Sequence, residues 1–221
     1  MIDKRCASIE EAIAGIADGA VLLVGGFGNS GEPIQLLNAL AERAPQDLTV
    51  VSNNAGSGDE GIGKLLAGGC VRKFICSFPR VTGAVAFDEL YARGEIELEI
   101  TPQGTLAERI RAAGAGIPGF YTRTSVATPL AEGKEIRDFG GKDYVLEEAI
   151  FGDVALVKAA RGDRWGNLTY TMSSRNFNPV MAMGAETTIA QVSELVELGD
   201  IEPEQVVTPS IFVDRLVEVE A

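Results

Sequence analysis

Histidine is absent from this chain. Its absence removes Ser-His-Asp and Cys-His activation of a nucleophile, and with it the imidazole ligands of common zinc centres. Any acid, base or nucleophile must therefore be Asp, Glu, Lys, Tyr, Cys or Ser. No apolar run approaches the roughly 20 residues that a membrane-spanning helix needs, so no membrane partner is expected. The first residues, MIDKRCASIEEAIAGI, carry acids early and are amphipathic, unlike a signal peptide. Cysteine is scarce: Cys6, Cys70 and Cys76 are an odd number without CxxC spacing. They read as reduced thiols of a cytoplasmic protein, and no metal site is expected. Positive charge is also short, with 19 basic against 32 acidic residues and a net charge of −13. A duplex-binding surface needs clustered Lys and Arg. No such cluster occurs, so no nucleic-acid partner is expected.

What is present is a beat of short apolar strands and amphipathic helices. The 221 residues suffice for one large α/β domain or two small ones. Residues 8–17 place Ile9, Ala12, Ile13 and Ile16 on one helical face. Ser8 is a candidate N-cap with Glu11 three residues on, and Gly19 is the expected stop. Residues 20–24 form a continuously apolar strand of the kind buried on both faces. GGFGNSG follows at 25–31. A helix is then expected from Pro33 with Leu36, Leu37 and Leu40 inward. Further strands are predicted over 48–52, 71–77 and 96–100, the last with its acids outward. Helices are predicted over 63–67, 87–93 and 105–113. This alternation predicts an α/β fold, a mainly parallel doubly wound sheet with helices on both faces. From about residue 120 the texture becomes β-rich. Strands are expected over 144–148, 154–159, 168–170, 187–192 and 211–217, a turn at GDRWGN, and a loop and helix over 175–184. The second half reads as an irregular C-terminal extension with an antiparallel portion, inside a single domain spanning 1–221.

Two turns stand out chemically. Gly26-Phe27-Gly28-Asn29-Ser30-Gly31 fits GxGxxG between a strand and a helix. The dinucleotide fingerprint also wants an acid at the tip of the second strand. That tip is Ser52-Asn53-Asn54 here, which weakens a nucleotide- or NAD-binding oxidoreductase reading. Without a dinucleotide, the glycines still permit positive φ and close approach of a ligand. Backbone N–H groups at a helix start suit an anion or a developing oxyanion. A tight strand–helix turn with packing glycines explains the same residues. The second turn is Pro102-Gln103-Gly104, which puts an amide outside the carboxyl end of a strand, where α/β proteins handle ligands.

The turns sit among further motifs. Gly25–Gly31 with Pro33, Ser52-Asn-Asn-Ala-Gly56, Thr101–Thr122, Asp163–Tyr170, Ser174–Pro179 and Val207-Thr-Pro209 occur in order. Together they resemble the A subunits of the family I coenzyme A transferases, the 3-oxoacid CoA-transferases, over essentially the whole chain. Cys76–Arg80 and Phe87–Tyr91 are most similar to the 3-oxoadipate branch. The chain departs from the family at Arg123–Thr128, where a glycine-containing loop is common. It departs again at Thr171-Met172-Ser173, where basic residues are often found. The first departure, a loop without its glycines, bears on acyl-group preference more than on the reaction class.

The resemblance implies CoA transfer from succinyl-CoA to a 3-oxoacid, 3-oxoadipate first and acetoacetate second. It implies a partner B subunit, in a heterodimer or heterotetramer, with acyl-CoA and 3-oxoacid as small-molecule substrates. It implies no permanently bound cofactor, the CoA thioester being a substrate. The family's nucleophilic glutamate lies in the B subunit in a Glu-Asn-Gly setting, and no Glu-Asn-Gly occurs here. Glu95, Glu97, Glu99, Glu147 and Glu148 read as solvated strand faces instead. By resemblance, Gln103 donates its amide to the thioester or an oxyanion, unless it only stabilises its turn. Gly25, Gly26, Phe27, Gly28, Asn29, Ser30 and Gly31 border the reactive acyl or pantetheine region. Asn53 and Asn54 hydrogen-bond the acyl carboxylate or cap their own turn. Arg175 and Asn176 anchor the loop or touch substrate. A non-catalytic scaffold protein is the remaining alternative.

Overall fold

In the computed structural model, which describes residues 2–220, side-chain alternation in the strands sets the architecture. In β1 (Val21–Val24), Leu22 and Val24 point to one face and Leu23 to the other, all fully buried. A strand apolar on both faces must be covered on both. Its neighbours β2 (Leu48–Val51), β3 (Val71–Cys76) and β4 (Glu97–Ile100) follow in parallel through α2 (Ile34–Arg43), α3 (Gly61–Ala67) and α4 (Val85–Arg93). With the short α1 (Ile9–Ala12), these helices cover one face, where Leu36, Leu37, Leu40, Leu65 and Phe87 pack on Leu22, Val50 and Phe74. The other face is covered by α5 (Gln103–Gly114) and α6 (Asn178–Met183) through Leu106, Ile110, Val180 and Met181.

The later half of the chain enters the same sheet. After β5 (Gly119–Thr122), β6 (Ile136–Asp138) and β7 (Asp143–Glu148), the long strand β8 (Gly152–Asp163) pairs in parallel with β1. Then β10 (Ala185–Val196) and β11 (Arg215–Glu218) extend the sheet, while β9 (Leu168–Thr169) folds back antiparallel on β8. The order is β11-β10-β8-β1-β2-β3-β4. The chain thus runs outward in one direction from β1 and in the other from β8. The gap between β1 and β8 is the switch point where open α/β sheets hold ligands.

Several expectations need correcting. The β-rich extension supplies β8, β10 and β11 to the main sheet, and the antiparallel portion outside it is confined to β5-β7-β6. β5 and β6 lack any sequence expectation. The helix over 8–17 stops at Ala12, although its start is capped as expected by Ser8 and Glu11. Past Ala12 the bonding tightens, with Ala14 N on Glu11 O, and Gly15 turns the chain at φ +86°; the carbonyls of Ala12 and Ala14 then accept from Arg215, and those of Ile13 and Ile16 from Arg43. Pro33 is the N-cap of α2, just before its first turn. Glu147 lies on no solvated face. It is 1% exposed and paired with Lys134 at 2.7 Å. Glu99 is half-buried between Lys73 and Arg109; burial would raise its pKa, but their hydrogen bonds outweigh that and hold it below the usual range.

Candidate active site

The loop 25–31 leaves β1 at the switch point and is stapled from beneath by the segment 173–178. Asn178, 0% exposed, accepts from Lys158 N at 2.9 Å and donates to the carbonyls of Gly31 (2.9 Å) and Ser174 (2.8 Å). Asn176 accepts from Gly26 N at 3.2 Å and donates to Ser30 O and Ser173 O. Phe27 and Ser30 exchange backbone hydrogen bonds, which leaves Gly28 and Asn29 at the tip. The glycines divide by role. A Cβ on Gly25 would overlap the Asn178 amide, and one on Gly31 would lie 2.5 Å from Ser174 O. Gly26 backs onto Glu32. Only Gly28, at φ +58°, faces open space. Close approach of a ligand is therefore possible at the tip, while Gly25, Gly26 and Gly31 are packing glycines.

Gln103 is the first residue of α5, one step inside the helix rather than in a preceding turn, because Pro102 occupies the N-cap. Among the described residues no side chain caps this helix, so its first N–H groups keep their unpaired donor character. Across the strand ends, Gln103 Nε2 donates to Asn53 Oδ1 at 2.8 Å. The same oxygen accepts from Ser77 Oγ at 2.7 Å. Two residues singled out fifty positions apart thus form one amide pair. Asn53 Nδ2 has no acceptor among the described residues, and Gln103 keeps a second N–H. Asn54 behaves differently: its Oδ1 accepts from Gly56 N at 3.0 Å, closing its own turn. Asn29 Oδ1 accepts from Ser57 Oγ at 2.8 Å and joins the glycine loop to the turn after β2.

Below this layer lies Glu32, a residue that no sequence expectation covers. It is buried and accepts from Ile62 N at 2.8 Å, bridging the glycine loop and the start of α3. Burial pushes its carboxyl pKa up. Cys76, at the end of β3 beside Ser77, is buried and its thiol is pushed up to about 12 by loss of water. The Cys76 thiol is therefore not poised as a nucleophile at neutral pH. Asn178 and Ser77 also escape sequence reasoning as individual residues. The signal that could have found Asn178 is a polar side chain at the start of a helix otherwise apolar on its covered face.

A cleft of about 560 Å³ opens between the N-terminal turns of α5, the segment 175–180 and the glycine loop. Gln103 and Gly104 lie at one side, and Val180 and Met183 form an apolar wall. Phe27, half exposed, stands at the rim. Two arginines, Arg111 and Arg175, complete the lining, with no aspartate or glutamate. Asn176 is the loop anchor by its bonds, whereas the exposed Arg175 makes no hydrogen bond or ion pair among the described residues. Asn53 and Asn54 do not line this cleft; Asn53 reaches its edge only through Gln103. Among the described residues no cluster of metal-binding side chains is present, and no helix is long and apolar enough to cross a membrane.

Comparison with known proteins agrees over the full length. The family described as Coenzyme A transferase matches residues 6–219. The chain is 58% identical to the A subunit of 3-oxoadipate CoA-transferase from Acinetobacter baylyi, covering 100% of this chain and 97% of that protein. It is 54% identical to the A subunit of succinyl-CoA:3-ketoacid coenzyme A transferase from Xanthomonas campestris pv. campestris, over 97% of this chain and 88% of the relative. Among solved structures, the apoenzyme of the acyl-CoA transferase YdiF of Escherichia coli O157:H7 superposes with a TM-score of 0.86 at 25% identity. That match covers 98% of this chain and 47% of YdiF, so the chain spans about half the length of that enzyme.

Proposed function

This chain belongs to the coenzyme A transferase family, and within it we propose that the chain is the A subunit of a heteromeric transferase moving CoA from succinyl-CoA to a 3-oxoacid. The first acceptor is 3-oxoadipate and the second acetoacetate, in line with the names of its relatives. The observation that carries the proposal is the cleft: the Gln103 amide and an open helix N-terminus beside an apolar wall, with no carboxylate in it. It can stabilise an acyl transfer but cannot start one. The attacking glutamate is supplied by a B subunit, which agrees with a chain matching only about half of YdiF.

The chemistry proceeds by covalent exchange. The partner's carboxylate oxygen adds to the thioester carbonyl, and the thiolate of CoA leaves, forming an acyl-glutamyl anhydride. The thiolate then adds to the glutamyl carbonyl and releases the donor acid, leaving an enzyme thioester. The acceptor carboxylate reverses both steps. Each addition develops an oxyanion, which the free N–H of Gln103 and the N-terminal N–H groups of α5 receive, with Asn53 holding the Gln103 amide in orientation. One such donor in a dry site is worth roughly 100- to 1,000-fold in kcat. Gly28 and Asn29 at the loop tip border the acyl or pantetheine chain, with Phe27 at the rim. The packing glycines and Ser30 hold that tip in place. Asn54 serves its own turn. CoA is a substrate, and no resident cofactor is required. The whole chain acts as one domain, in a cytoplasmic heterodimer or heterotetramer.

The test is intact-protein mass spectrometry of the complex formed with the B subunit, with and without succinyl-CoA. A CoA adduct (less water) on the partner, with this chain unmodified and Gln103→Ala slowing its formation, is the expected result. No adduct on either chain would sink the transferase proposal. An intact complex in which Gln103→Ala keeps full activity would leave this chain as a scaffold.

A further inference from the structure

The cleft contains a cation that neither the fold nor the proposed chemistry uses. Most basic side chains elsewhere are taken: Lys73, Arg80, Arg93, Arg109, Lys134 and Arg137 each pair with carboxylates. Arg43 and Arg215 are engaged by backbone carbonyls. Arg175 has no partner among the described residues. Arg111 has only a surface pair with Glu108 at 3.2 Å, its side chain half exposed, and such pairs hold a guanidinium weakly. In a chain with 32 acids and a net charge of −13, a cleft walled by two arginines and no acid is a local reversal of charge. A planar guanidinium without a partner beside an apolar wall is the geometry that recognises a carboxylate.

We propose that Arg175, assisted by Arg111, binds the distal carboxylate of a dicarboxylic acyl group and so sets the acyl specificity of the site. The proposal rests on the transferase reading above. The reacting carbonyl belongs at Gln103, and Arg175 shares one cleft with it. In a succinyl or 3-oxoadipyl group the free carboxylate lies only a few carbon–carbon bonds from that carbonyl, within the span of such a cleft. Val180 and Met183 cover the methylenes between. The phosphates of CoA lie beyond the full pantetheine chain and fall outside the same short reach. A monocarboxylic 3-oxoacyl group such as acetoacetyl has no second charge to offer, so it gains nothing from Arg175.

The experiment uses the complex formed with the B subunit. It measures formation of the enzyme thioester from succinyl-CoA and from acetoacetyl-CoA. The readout is the ratio of the two kcat/KM values. Arg175→Gln is expected to lower the succinyl-to-acetoacetyl ratio roughly 10- to 100-fold, the value of a charge-assisted hydrogen bond. Arg175→Lys should restore part of the ratio, and Arg111→Gln should lower it less. If Arg175→Gln slows both thioesters equally, the anion recognised is a phosphate of CoA or the cleft has collapsed, and the assignment is overturned. An unchanged ratio overturns it too. A wild-type complex that forms no thioester from either donor would instead refute the transferase function itself.

Discussion

Replacing Asn178 by alanine should loosen the glycine loop and cost more stability than any other single polar truncation at the site. The side chain is fully buried and makes three hydrogen bonds, to Lys158 N, Gly31 O and Ser174 O, at 2.8–2.9 Å. Alanine leaves one donor and two acceptors without these partners. Gly31 is buried, so its carbonyl carries the full penalty of about 1–3 kcal/mol. Lys158 and Ser174 are half-buried and can recruit water, at about 1 kcal/mol each. The sum is about 3–5 kcal/mol, which for a domain of this size lowers Tm by roughly 6–20 °C. Asn178→Asp is no rescue. It keeps an acceptor for Lys158 but turns a carboxylate oxygen toward two carbonyls. Thermal unfolding of the complex gives the shift, and thioester formation should slow along with it because Gly31 O anchors the loop. A Tm loss below about 3 °C, with activity retained, would refute the role given to this residue.

Gly31→Ala should destabilise more than Gly28→Ala: both sit at positive φ, but the new methyl meets Ser174 O at 2.5 Å only in the first. The φ term is about 1–2 kcal/mol at either site, so chemical denaturation that ranks the two equally would contradict the packing described. Glu32 has its pKa raised by burial, so its contribution to stability is complete below the ordinary glutamate range. It declines as pH rises toward the folded value, because the unfolded chain releases its proton first. Glu32→Gln keeps an acceptor for Ile62 N and should flatten that decline in urea midpoints measured from acid to neutral pH; an unchanged slope would rule it out. The Cys76 thiol, raised to about 12 by burial, should resist iodoacetamide in the native complex at neutral pH. Peptide mapping that finds it alkylated without unfolding would contradict that environment.

The strands and most helices of the first hundred residues are legible because their information is local. Three consecutive apolar residues in β1 alternate between two cores, and Leu36, Leu37 and Leu40 mark the inner face of α2. What was not legible depends on distant partners. The helix after Ser8 has the right period, but Arg43 and Arg215 capture its carbonyls from 27 to 203 positions away. Glu147 looks like a twin of Glu148 on a surface strand, yet Lys134 and Arg109 draw it inside. The site divides the same way. Gln103 and Asn53 stand at strand ends, where ligand groups are expected, but only the fold shows that they bond to each other. Asn176 and Asn178 hold the glycine loop across 146 to 150 positions, a distance over which residue spacing carries no signal.

The division of labour in this half-site follows from which polar atoms are already satisfied. Asn53 Oδ1 accepts from both Ser77 and Gln103, so the two amides cannot rotate to follow a ligand. Fixed donors of this kind stabilise developing charge because they need no reorganisation when the charge appears. Their strength depends on exclusion of water, and Phe27 at the rim is 50% exposed. Gln103 is itself exposed whereas Asn53 is buried, so the outer donor is preorganised by this chain but left wet by it. On the proposed mechanism, a partner bringing the nucleophilic carboxylate would supply the charge and, by covering the rim, the low dielectric in one docking step. Such coupling would protect the acyl-CoA, because the exposed Gln103 amide alone faces water and has no nucleophile to assist.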